Sequence, residues 1–579
     1  MYYKIGLLWL LSCYVYAAEP QLLFKSVDVP ITDAAKRQIQ TSPSVTIDGK
    51  TYPLQYNTIL RSGAKLGQHT FGQLVDANAQ AIIMQDGKSI VSNENDFSSL
   101  IPIEDKLFMI SQFESRPGVM YLTDLKQNTD TGLLTATATR PIDFSGIKGG
   151  WSHCAGSVTP WNSHLGSEEY EPDAEQHDIK TGRIDSYYEP MARFYEGDLL
   201  KPNPYDYGHI IEIKLIDTEG TTEVSKHYAM GRLSFELAYV MPDEKTVYLA
   251  DDGANVGFFM FIADKRGDLS AGILYAAQWQ QLNANNGGQA TLNWIQLGHL
   301  SDAEVQPYLD KKIRFKDIFS KAEPNSNHQC PTGFSSINVG YNSQRCLKLN
   351  TGMEKIALAL ETRRYAAILG ATTEFRKTEG LTFNPENNQL YLSVSEIAKG
   401  MEDNASKGKT HAGFDIGGNN HIRLPYNKCG AVYHLDVDYD SIIDSHYVAQ
   451  NMQTLVTGQM QAHDNKGAAN ECDVNGIANP DNITYLMGYQ TLIIAEDTSE
   501  GHQNDMVWAY NLKMKTLTRI QTAPYGSENT GVYFYPNING WAYVMSTVQH
   551  PYGDSHQEKI QDIKDTAGYT GYLAVFPAF

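Results

Sequence analysis

The densest group of chemically reactive side chains is the stretch GGWSHCAGSVTPWNSHLGSEEYEPD at residues 149–173. Cys154 precedes the adjacent pair Glu168 and Glu169, and the glycine and proline residues between them favour turns. Neighbouring residues of a strand point to opposite faces, so such a pair can serve two metal ions, or one ion and its surroundings. A thiolate among carboxylates suits a borderline transition ion such as iron, whereas carboxylates and carbonyls suit Ca²⁺. The alternatives are a buried apolar cysteine and a solvated pair of glutamates.

A recurring strand pattern is the best candidate for positioning these side chains. A Pro/Asn/Asp/Gly turn leads into a short β-rich run, and the run ends in acidic or polar residues. The pattern occurs at residues 85–96, 241–253, 383–396, 488–500 and 535–551. Partner runs that are strand-like by alternation or aromatic content lie at 209–217, 258–264, 431–440 and 506–520. Helical signals are few, and the best of them lie at 33–40 and 301–313.

Irregular strand modules without βα alternation favour an all-β fold with a few short helices, and a β-propeller in particular. The inner strands of a propeller line its central channel, so acidic residues at equivalent strand ends would meet there. The alternative is a β-sandwich whose acidic residues are solvated turn residues. Two segments rich in Gly, Asn, Ser and Lys, 318–350 and 398–428, are expected to be long inserted loops.

The composition excludes several classes of protein. Hydrophobic residues make up 42% of the chain and charged residues 20%, which excludes global disorder. Lys and Arg total 46 against 67 Asp and Glu, a net charge of −21, which argues against nucleic-acid binding because phosphate backbones require basic residues. The 35 Tyr and 47 Gly residues favour strands and turns over a helical bundle.

The chain opens with a pattern typical of export, MYYKIGLLWLLSCYVYAAEPQ. A lysine precedes an apolar run, and the small residues Ala17 and Ala18 follow it, which predicts a signal peptide at 1–18. Alternatively, LLSC is a lipoprotein site, and Cys13 is then acylated. No later segment has about 18 uninterrupted apolar residues. Residues 19–579 are therefore expected to form one domain without a transmembrane segment, periplasmic or secreted and monomeric.

Five cysteines remain after the signal peptide, so in an oxidising compartment at least one is unpaired. Cys330 and Cys346 bracket a short polar loop, and Cys429 and Cys472 bracket a longer one. Both pairs are disulfide candidates, although sequence alone leaves the connectivity open. Cys154 is then the odd thiol.

CAGSVTPW followed by SEE resembles the signature of the PhoX-type alkaline phosphatases, which reads approximately CAGG-x-TPWG…EE. Further stretches resemble that family in the same order: ESRPGVMYLTDL (114–125), PYDYGHIIEI (204–213), MGRLSFELAYV (230–240), YLADDGANVGFFMFI (248–262), LGATTEFRKTEGLTFNP (369–385), NPDNITY (479–485), GSENTGVYF (526–534) and QHP (549–551). The matches run through residues 70–555, which is nearly all of the mature chain.

This resemblance implies a six-bladed propeller whose channel holds a mixed iron and calcium cluster that hydrolyses small phosphate monoesters. The motifs carry over, residue by residue, to the metal-ligand candidates Cys154, Glu168, Glu169, Glu236, Glu379, Asp481 and Glu528. Further candidates, as Ca²⁺ ligands or as neighbours of the ligands, are Asp251, Asp252, Glu496 and Asp497.

Three features depart from the family's pattern. The arginine of its RPE segment is replaced by Lys377, with Arg376 one residue earlier, and a lysine cannot bind phosphate in a bidentate manner. These two residues and His550 of QHP are the candidates for binding phosphate or lining the site. An NHE-like element reads NEN, and only Asn93 carries over. The family's twin-arginine signal is absent, so iron loading before export is not expected, and an all-calcium or partly loaded cluster is conceivable.

Three functions are compatible with these residues. The first is a metal-dependent phosphomonoesterase outside the cytoplasmic membrane, to which the ordered motifs point. The second, prompted by Lys377, is a calcium propeller that hydrolyses phosphodiesters or another ester such as a lactone. The third is a binding propeller that Ca²⁺ stabilises and that has no catalytic activity.

Overall fold

Turn-separated β-rich runs dominate the chain, and in the computed structural model they form short antiparallel strands. The structure describes residues 21–178, 180–340, 343–404, 412–461, 470–553 and 556–578. The predicted signal peptide, together with Cys13, lies outside these residues.

The strands of the N-terminal part are β1 (Leu22–Phe24), β2 (Gln40–Thr41), β3 (Ser44–Ile47), β4 (Lys50–Pro53), β5 (Asn57–Arg61), β6 (Lys65–Leu66) and β7 (His69–Thr70). Blade 1 contains β8 (Asn95–Ile103), β9 (Lys106–Phe113), β10 (Val119–Gln127) and β11 (Leu134–Pro141). Blade 2 contains β12 (Gly156–Val158), β13 (His164–Gly166), β14 (Ile210–Leu215) and β15 (Thr222–His227). Blade 3 contains β16 (Phe235–Val240), β17 (Thr246–Asp251), β19 (Phe258–Lys265), β20 (Asp268–Asn283) and β21 (Gln289–Ser301), while β18 (Ala254–Val256) lies outside it.

A small separate sheet contains β22 (Phe319–Ala322), β23 (Ser335–Ile337) and β24 (Arg345–Leu349), and β25 (Phe375–Arg376) pairs with β18. Blade 4 contains β26 (Thr378–Asn384), β27 (Gln389–Val394), β28 (Ala431–Asp440) and β30 (Asn451–Thr457), with β29 (Ser445–Ala449) paired to β28. Blade 5 contains β31 (Pro480–Leu486), β32 (Thr491–Glu496), β33 (Met506–Asn511) and β34 (Thr516–Thr522). Blade 6 contains β35 (Glu528–Ile538), β36 (Trp541–Gln549) and β37 (Tyr569–Pro577).

The first strands of the blades form a closed ring. Contacts run from β8 to β12, β16, β26, β31 and β35, and β35 returns to β8. Within the described residues the fold is therefore a six-bladed β-propeller, as the sequence and the family resemblance predict, and not a β-sandwich.

The hydrophobic core lies between the blades. Six buried clusters each join two neighbouring blades, and one of them joins blade 6 to blade 1 through tyrosines such as Tyr121 and Tyr543. Side chains on both faces of each sheet are thus buried, which explains the near-continuous apolar runs. The packing of each blade depends on both of its neighbours.

N-terminal strands complete the last two blades. Strand β2 adds to β34 of blade 5, and β5 adds to β37 of blade 6 as its outermost strand. The ring is therefore closed by strands that lie far apart in the sequence.

Helices are few and short in the described part of the chain: α1 (Asp302–Asp310), α2 (Phe315–Ile318), α3 (Glu354–Leu360) and α4 (Thr362–Ile368). The prediction at 301–313 is confirmed by α1, which Ser301 and Glu304 cap at its N-terminus. In the region 33–40, which was predicted to be helical, only a single 3₁₀ turn forms, at Ala35–Arg37. None of these helices has the length and the hydrophobicity needed to cross a bilayer.

Both proposed disulfides are present, Cys330–Cys346 and Cys429–Cys472, and Cys154 is a buried free thiol. The segment 318–350, predicted as a loop, contains the sheet β22–β24–β23, and its disulfide joins β24 to the loop before β23. In the described part of 398–428, 3₁₀ turns form at Lys399–Met401 and Ala412–Phe414, and residues 405–411 lie outside the described ranges.

A buried ionic group links blade 2 to α1 and predicts a loss of stability at alkaline pH. His227 Nε2 lies 3.0 Å from Glu212 Oε2, and its Nδ1 lies 3.5 Å from Asp302 Oδ2. Burial acts to lower the pKa of His227, but the adjacent carboxylates of Asp302 and Glu212 raise it to about 9. The protonated imidazole therefore stabilises the fold fully below its ordinary pKa of 6.5, and this stabilisation is lost as the pH rises through about 9.

Thermal unfolding of the metal-loaded protein tests this prediction. We expect the melting temperature to fall by several degrees between about pH 7 and about pH 9.5. The substitution His227→Gln removes the titrating group, so the melting temperature of this variant should fall less over the same pH range. An equal decrease in both proteins would contradict the role of His227.

Candidate metal centre

The inner strands of four blades begin with the same irregularity, a β-bulge. The pairing register shifts after the first residue of β8, β16, β26 and β31, so that two residues oppose one on the neighbouring strand. The first bulged residue is acidic in each case: Asp96, Glu236, Glu379 and Asp481. Because bulges redirect side chains and often occur beside active sites, these four carboxylates are presented by equivalent backbone features of four blades.

These residues and three others form three interlocking groups. Within each group, one ligand atom per residue lies within 4.8 Å of the others. The groups are Asp96–Glu114–Cys154, Cys154–Glu169–Glu236 and Glu236–Glu379–Asp481. Cys154 and Glu236 are each shared by two groups, so the donor atoms form one continuous series and not separate sites.

Cys154 lies at the junction, in the segment just before β12. Its Sγ lies 3.1 Å from Glu236 Oε2 and 3.6 Å from Asp96 Oδ2, and its carbonyl accepts a hydrogen bond from Gln112 Nε2. Burial and the surrounding carboxylates raise the pKa of the thiol well above its ordinary value. In this setting a metal cation would favour the thiolate.

The carboxylates repel one another strongly. Burial, and then the charge of neighbouring acids, raises the pKa of five carboxyl groups well above the usual range: Asp96, Glu169, Glu236, Asp481 and Glu528. The same causes raise the pKa of Glu379 to about 8. Such a cluster is costly when ionised and uncompensated, whereas polyvalent cations stabilise it. Its sulfur and oxygen donors therefore fit metal binding.

Neutral side chains orient the acids. Asn482 Nδ2 donates to Glu236 Oε1 at 3.2 Å and to Asp481 Oδ1 at 3.1 Å. Thr530 Oγ1 donates to Asp96 Oδ1 at 3.0 Å, and Gln549 Nε2 donates to Glu114 Oε2 at 2.9 Å. Side chains of blades 5 and 6 thus hold carboxylates of blades 1, 3 and 5 in place.

Lys377 brings a positive charge to the cluster. Its Nζ lies 3.2 Å from Glu379 Oε1, 3.3 Å from Asp497 Oδ2 and 3.7 Å from Asp252 Oδ2. Burial acts to lower the pKa of Lys377, but the charges of Asp252 and Glu379 raise it well above its ordinary value. Burial likewise acts to raise the pKa of Asp252, and Lys377 and hydrogen bonds lower it to about 2. Lys377 has a left-handed φ of 49°, a strained conformation of the kind that clusters at functional sites.

The other proposed phosphate-binding residues lie farther out. Arg376 Nε pairs with Glu396 Oε2 at 3.0 Å, and Arg376 lines a neighbouring cavity. His550 Nε2 lies 3.2 Å from Glu528 Oε2, and its backbone N–H donates to the carbonyl of Asn93. The side chain of Asn93 donates to the carbonyl of Thr566, so it is engaged outside the cluster.

Three acids proposed from the sequence have other partners. Glu168 pairs with Lys226 at 2.9 Å and accepts from two backbone N–H groups. Asp251 binds Arg363, and Glu496 accepts hydrogen bonds from Trp508 and pairs with His502.

Strand geometry explains why Glu168, Asp251 and Glu496 do not face the cluster. Each of these acids has an acidic neighbour in the chain, and adjacent residues point in opposite directions. One member of each pair therefore faces the cluster or its rim, namely Glu169, Asp252 and Asp497. The other member faces the interior of the fold.

Two residues of the centre, Asp96 and Glu114, were not among the predicted site residues. Each is a single acid in a stretch that the strand pattern or the family resemblance already marked: Asp96 ends the run 85–96, and Glu114 begins ESRPGVMYLTDL. The acid-ended runs at 241–253, 383–396 and 488–500 form second strands, not inner strands. Their ends lie beside the inner-strand bulges because the two strands are antiparallel.

Comparison with known proteins identifies the family. The family model for alkaline phosphatase PhoX matches residues 122–552, which is more than half of the chain. The chain belongs to the PhoX alkaline phosphatase family. A search of curated protein sequences finds no match.

One solved structure supports the assignment of the fold. Pseudomonas fluorescens PhoX in complex with vanadate, a transition state analogue, aligns over 96% of this chain and 97% of its own, with a TM-score of 0.59 and 16% identity. The periplasmic gluconolactonase PpgL of Pseudomonas aeruginosa aligns over 81% of this chain and 96% of its own, with a TM-score of 0.29 and 10% identity. The PhoX propeller is thus shared along almost the whole of both chains, and family membership supports a phosphatase.

Proposed function

We propose that this protein is an exported phosphatase that hydrolyses phosphate monoesters at a multinuclear metal centre in the propeller channel. One observation carries the proposal: in a chain of the PhoX family, three ligand groups are linked to one another through Cys154 and Glu236. That the solved PhoX binds a vanadate transition state analogue supports phosphoryl chemistry in this fold.

The donor set supports two kinds of metal. The groups that contain Cys154 combine sulfur with carboxylate oxygen and suit iron, whereas Glu236, Glu379 and Asp481 offer oxygen only and suit Ca²⁺. Around them, Asp252, Asp497 and Glu528 supply further carboxylates. When bound, such ions would act as Lewis acids toward the phosphoryl oxygens.

The chain's own residues have defined tasks in this proposal. Lys377 holds a positive charge beside the carboxylates, where it can bind a phosphoryl oxygen as a point charge. Arg376 lines the adjoining cavity, where its charge can attract the ester. His550 can hold a proton at Nε2 against Glu528 and so fix the orientation of that carboxylate.

The two disulfides are consistent with an exported protein, because they persist in oxidising compartments. Together with the predicted signal peptide, they support a periplasmic or secreted location. Anchoring through Cys13 is the alternative that the sequence leaves open.

A matched pair of chromogenic esters tests the function. We expect the purified mature protein, supplied with Ca²⁺ and iron, to hydrolyse p-nitrophenyl phosphate at least about 100-fold faster than bis(p-nitrophenyl) phosphate. Cys154→Ser protein, prepared in parallel, controls for contaminating phosphatases. Absence of monoester turnover in every metal condition would refute the proposal, and a preference for the diester would favour the phosphodiesterase alternative.

A further inference from the structure

A cavity of about 670 Å³ adjoins the metal centre. Its lining includes Asp252 and Tyr170, and the Tyr170 hydroxyl donates to Asp252 Oδ2 at 2.6 Å. Asp252 is in turn 3.7 Å from Lys377 Nζ, so the cavity and the cluster share a wall. A volume of this size lies in the range of about 300–1,000 Å³ that is usual for small-molecule sites.

Most charged groups that line the cavity neutralise one another. Arg363 donates to Asp251 Oδ2 at 2.8 Å and to Glu171 Oε1 at 2.9 Å. Arg364 pairs in the same way with Glu361 and Asp173. These arginines are therefore held by the protein's own carboxylates.

Two other charged residues of the lining are engaged mainly by the backbone. Arg232 donates to backbone carbonyls, among them those of Tyr207 and Pro204. Asp185 accepts a hydrogen bond from the backbone N–H of Tyr187. Their polar groups are thus committed mainly to the backbone.

Lys399 is the exception. Its Nζ lies 5.9 Å from the ring centre of Phe414, and no carboxylate of the described residues lies within ion-pair distance of it. It begins the turn Lys399–Met401, which packs against β25 and so brings it near Arg376. Burial and the charge of Arg376 lower the pKa of Lys399, and the more distant carboxylates of Glu396 and Asp252 offset this only in part. Its φ of 56° is left-handed, so the backbone too is strained at this position.

We propose that Lys399, beside the ion pair that Arg376 forms with Glu396, provides a second anion subsite that selects phosphate monoesters whose leaving group carries its own negative charge. The proposal rests on the proposed function, which places the phosphoryl group at the metal centre and the rest of the ester in the cavity. Lys377 lies among the cluster carboxylates, whereas Lys399 lies against Phe414 on the cavity wall. Phosphorylated hydroxy acids and bisphosphates have the chemistry that this subsite would recognise.

Two esters of nearly equal size test the subsite: 3-phosphoglycerate, whose leaving group bears a carboxylate, and glycerol 3-phosphate, whose leaving group is neutral. We expect the wild-type kcat/KM to be at least about ten-fold higher for 3-phosphoglycerate. Lys399→Met should lower this ratio by about ten-fold, and Lys399→Arg should retain most of it. Lys513→Met, at an exposed site, is the control and should leave the ratio unchanged.

The outcomes separate the two proposals. An unchanged ratio in Lys399→Met, with glycerol 3-phosphate still hydrolysed, would overturn the subsite and leave the phosphatase proposal standing. If neither ester is hydrolysed, turnover of p-nitrophenyl phosphate decides the phosphatase proposal separately, and calorimetric binding of the two compounds decides the subsite. Tighter binding of 3-phosphoglycerate that is lost in Lys399→Met supports it, and equal binding in wild type overturns it.

Discussion

Glu169→Gln is expected to lower kcat/KM for p-nitrophenyl phosphate by at least about 100-fold and to reduce the amount of bound metal, whereas Glu168→Gln should do neither. The two residues are adjacent, but only Glu169 shares a ligand group with Cys154 and Glu236. Glutamine has the same shape and lacks the charge that holds a cation. Steady-state kinetics and elemental analysis of the purified variants measure both effects.

The two variants should differ in the opposite order in their stability, with Glu168→Gln the less stable. Glu168→Gln removes the carboxylate partner of Lys226, whose side chain is only 1% exposed. Breaking such a buried pair typically costs about 3–5 kcal/mol, so its free energy of unfolding should fall clearly. Glu169→Gln relieves repulsion and should leave the stability of the metal-free protein unchanged or higher. Equal loss of activity per folded molecule in both variants would contradict the placement of the centre.

Removal of metal is expected to destabilise the protein strongly, and more so at alkaline than at acidic pH. Treatment with a chelator at about pH 9 should lower the melting temperature by about 10 °C or more, because the ionised cluster then lacks counter-charge. At about pH 5 the decrease should be much smaller.

The direction of this pH dependence follows from the raised pKa values of the cluster carboxyl groups. A carboxyl group whose pKa is raised in the folded state stabilises the fold below its ordinary pKa, and this contribution is lost as the pH rises through the folded value. For Glu379 these limits are 4.5 and about 8. Scanning calorimetry at both pH values, with and without chelator, measures the effect. In Glu169→Gln the pH dependence of the metal-free form should be weaker, and an identical decrease at both pH values would contradict the cluster's electrostatics.

The fold could be predicted in large part because its second strands carry a strong local pattern. Runs such as residues 246–251 and 491–496 follow clear turns, have apolar centres and are buried throughout. Inner strands are weaker signals, and β12 has only three residues. The order of the blades and their closure depend on contacts between distant strands, which no local pattern encodes.

The candidate site could be predicted as a set of residues but not as a geometry. Cys154, Glu236 and Glu379 were found through motifs, whereas Asp96 and Glu114 are single acids whose stretches were recognised but which were not assigned as ligands. For each acidic pair, the choice of the cluster-facing member depends on the phase of the strand. The bulges that set this phase are visible only in the paired sheet.

The long-range pairing of β5 has a consequence for biogenesis. Arg61 donates a hydrogen bond to the carbonyl of Ala567, 506 residues away, so this strand is synthesised long before its partner. Until β37 is synthesised, β5 has an unpaired strand edge, and such edges promote aggregation. Since the strands of the other blades are synthesised earlier, the ring can close only after β37 (Tyr569–Pro577) is made, so a chain truncated before β37 should not form the closed propeller.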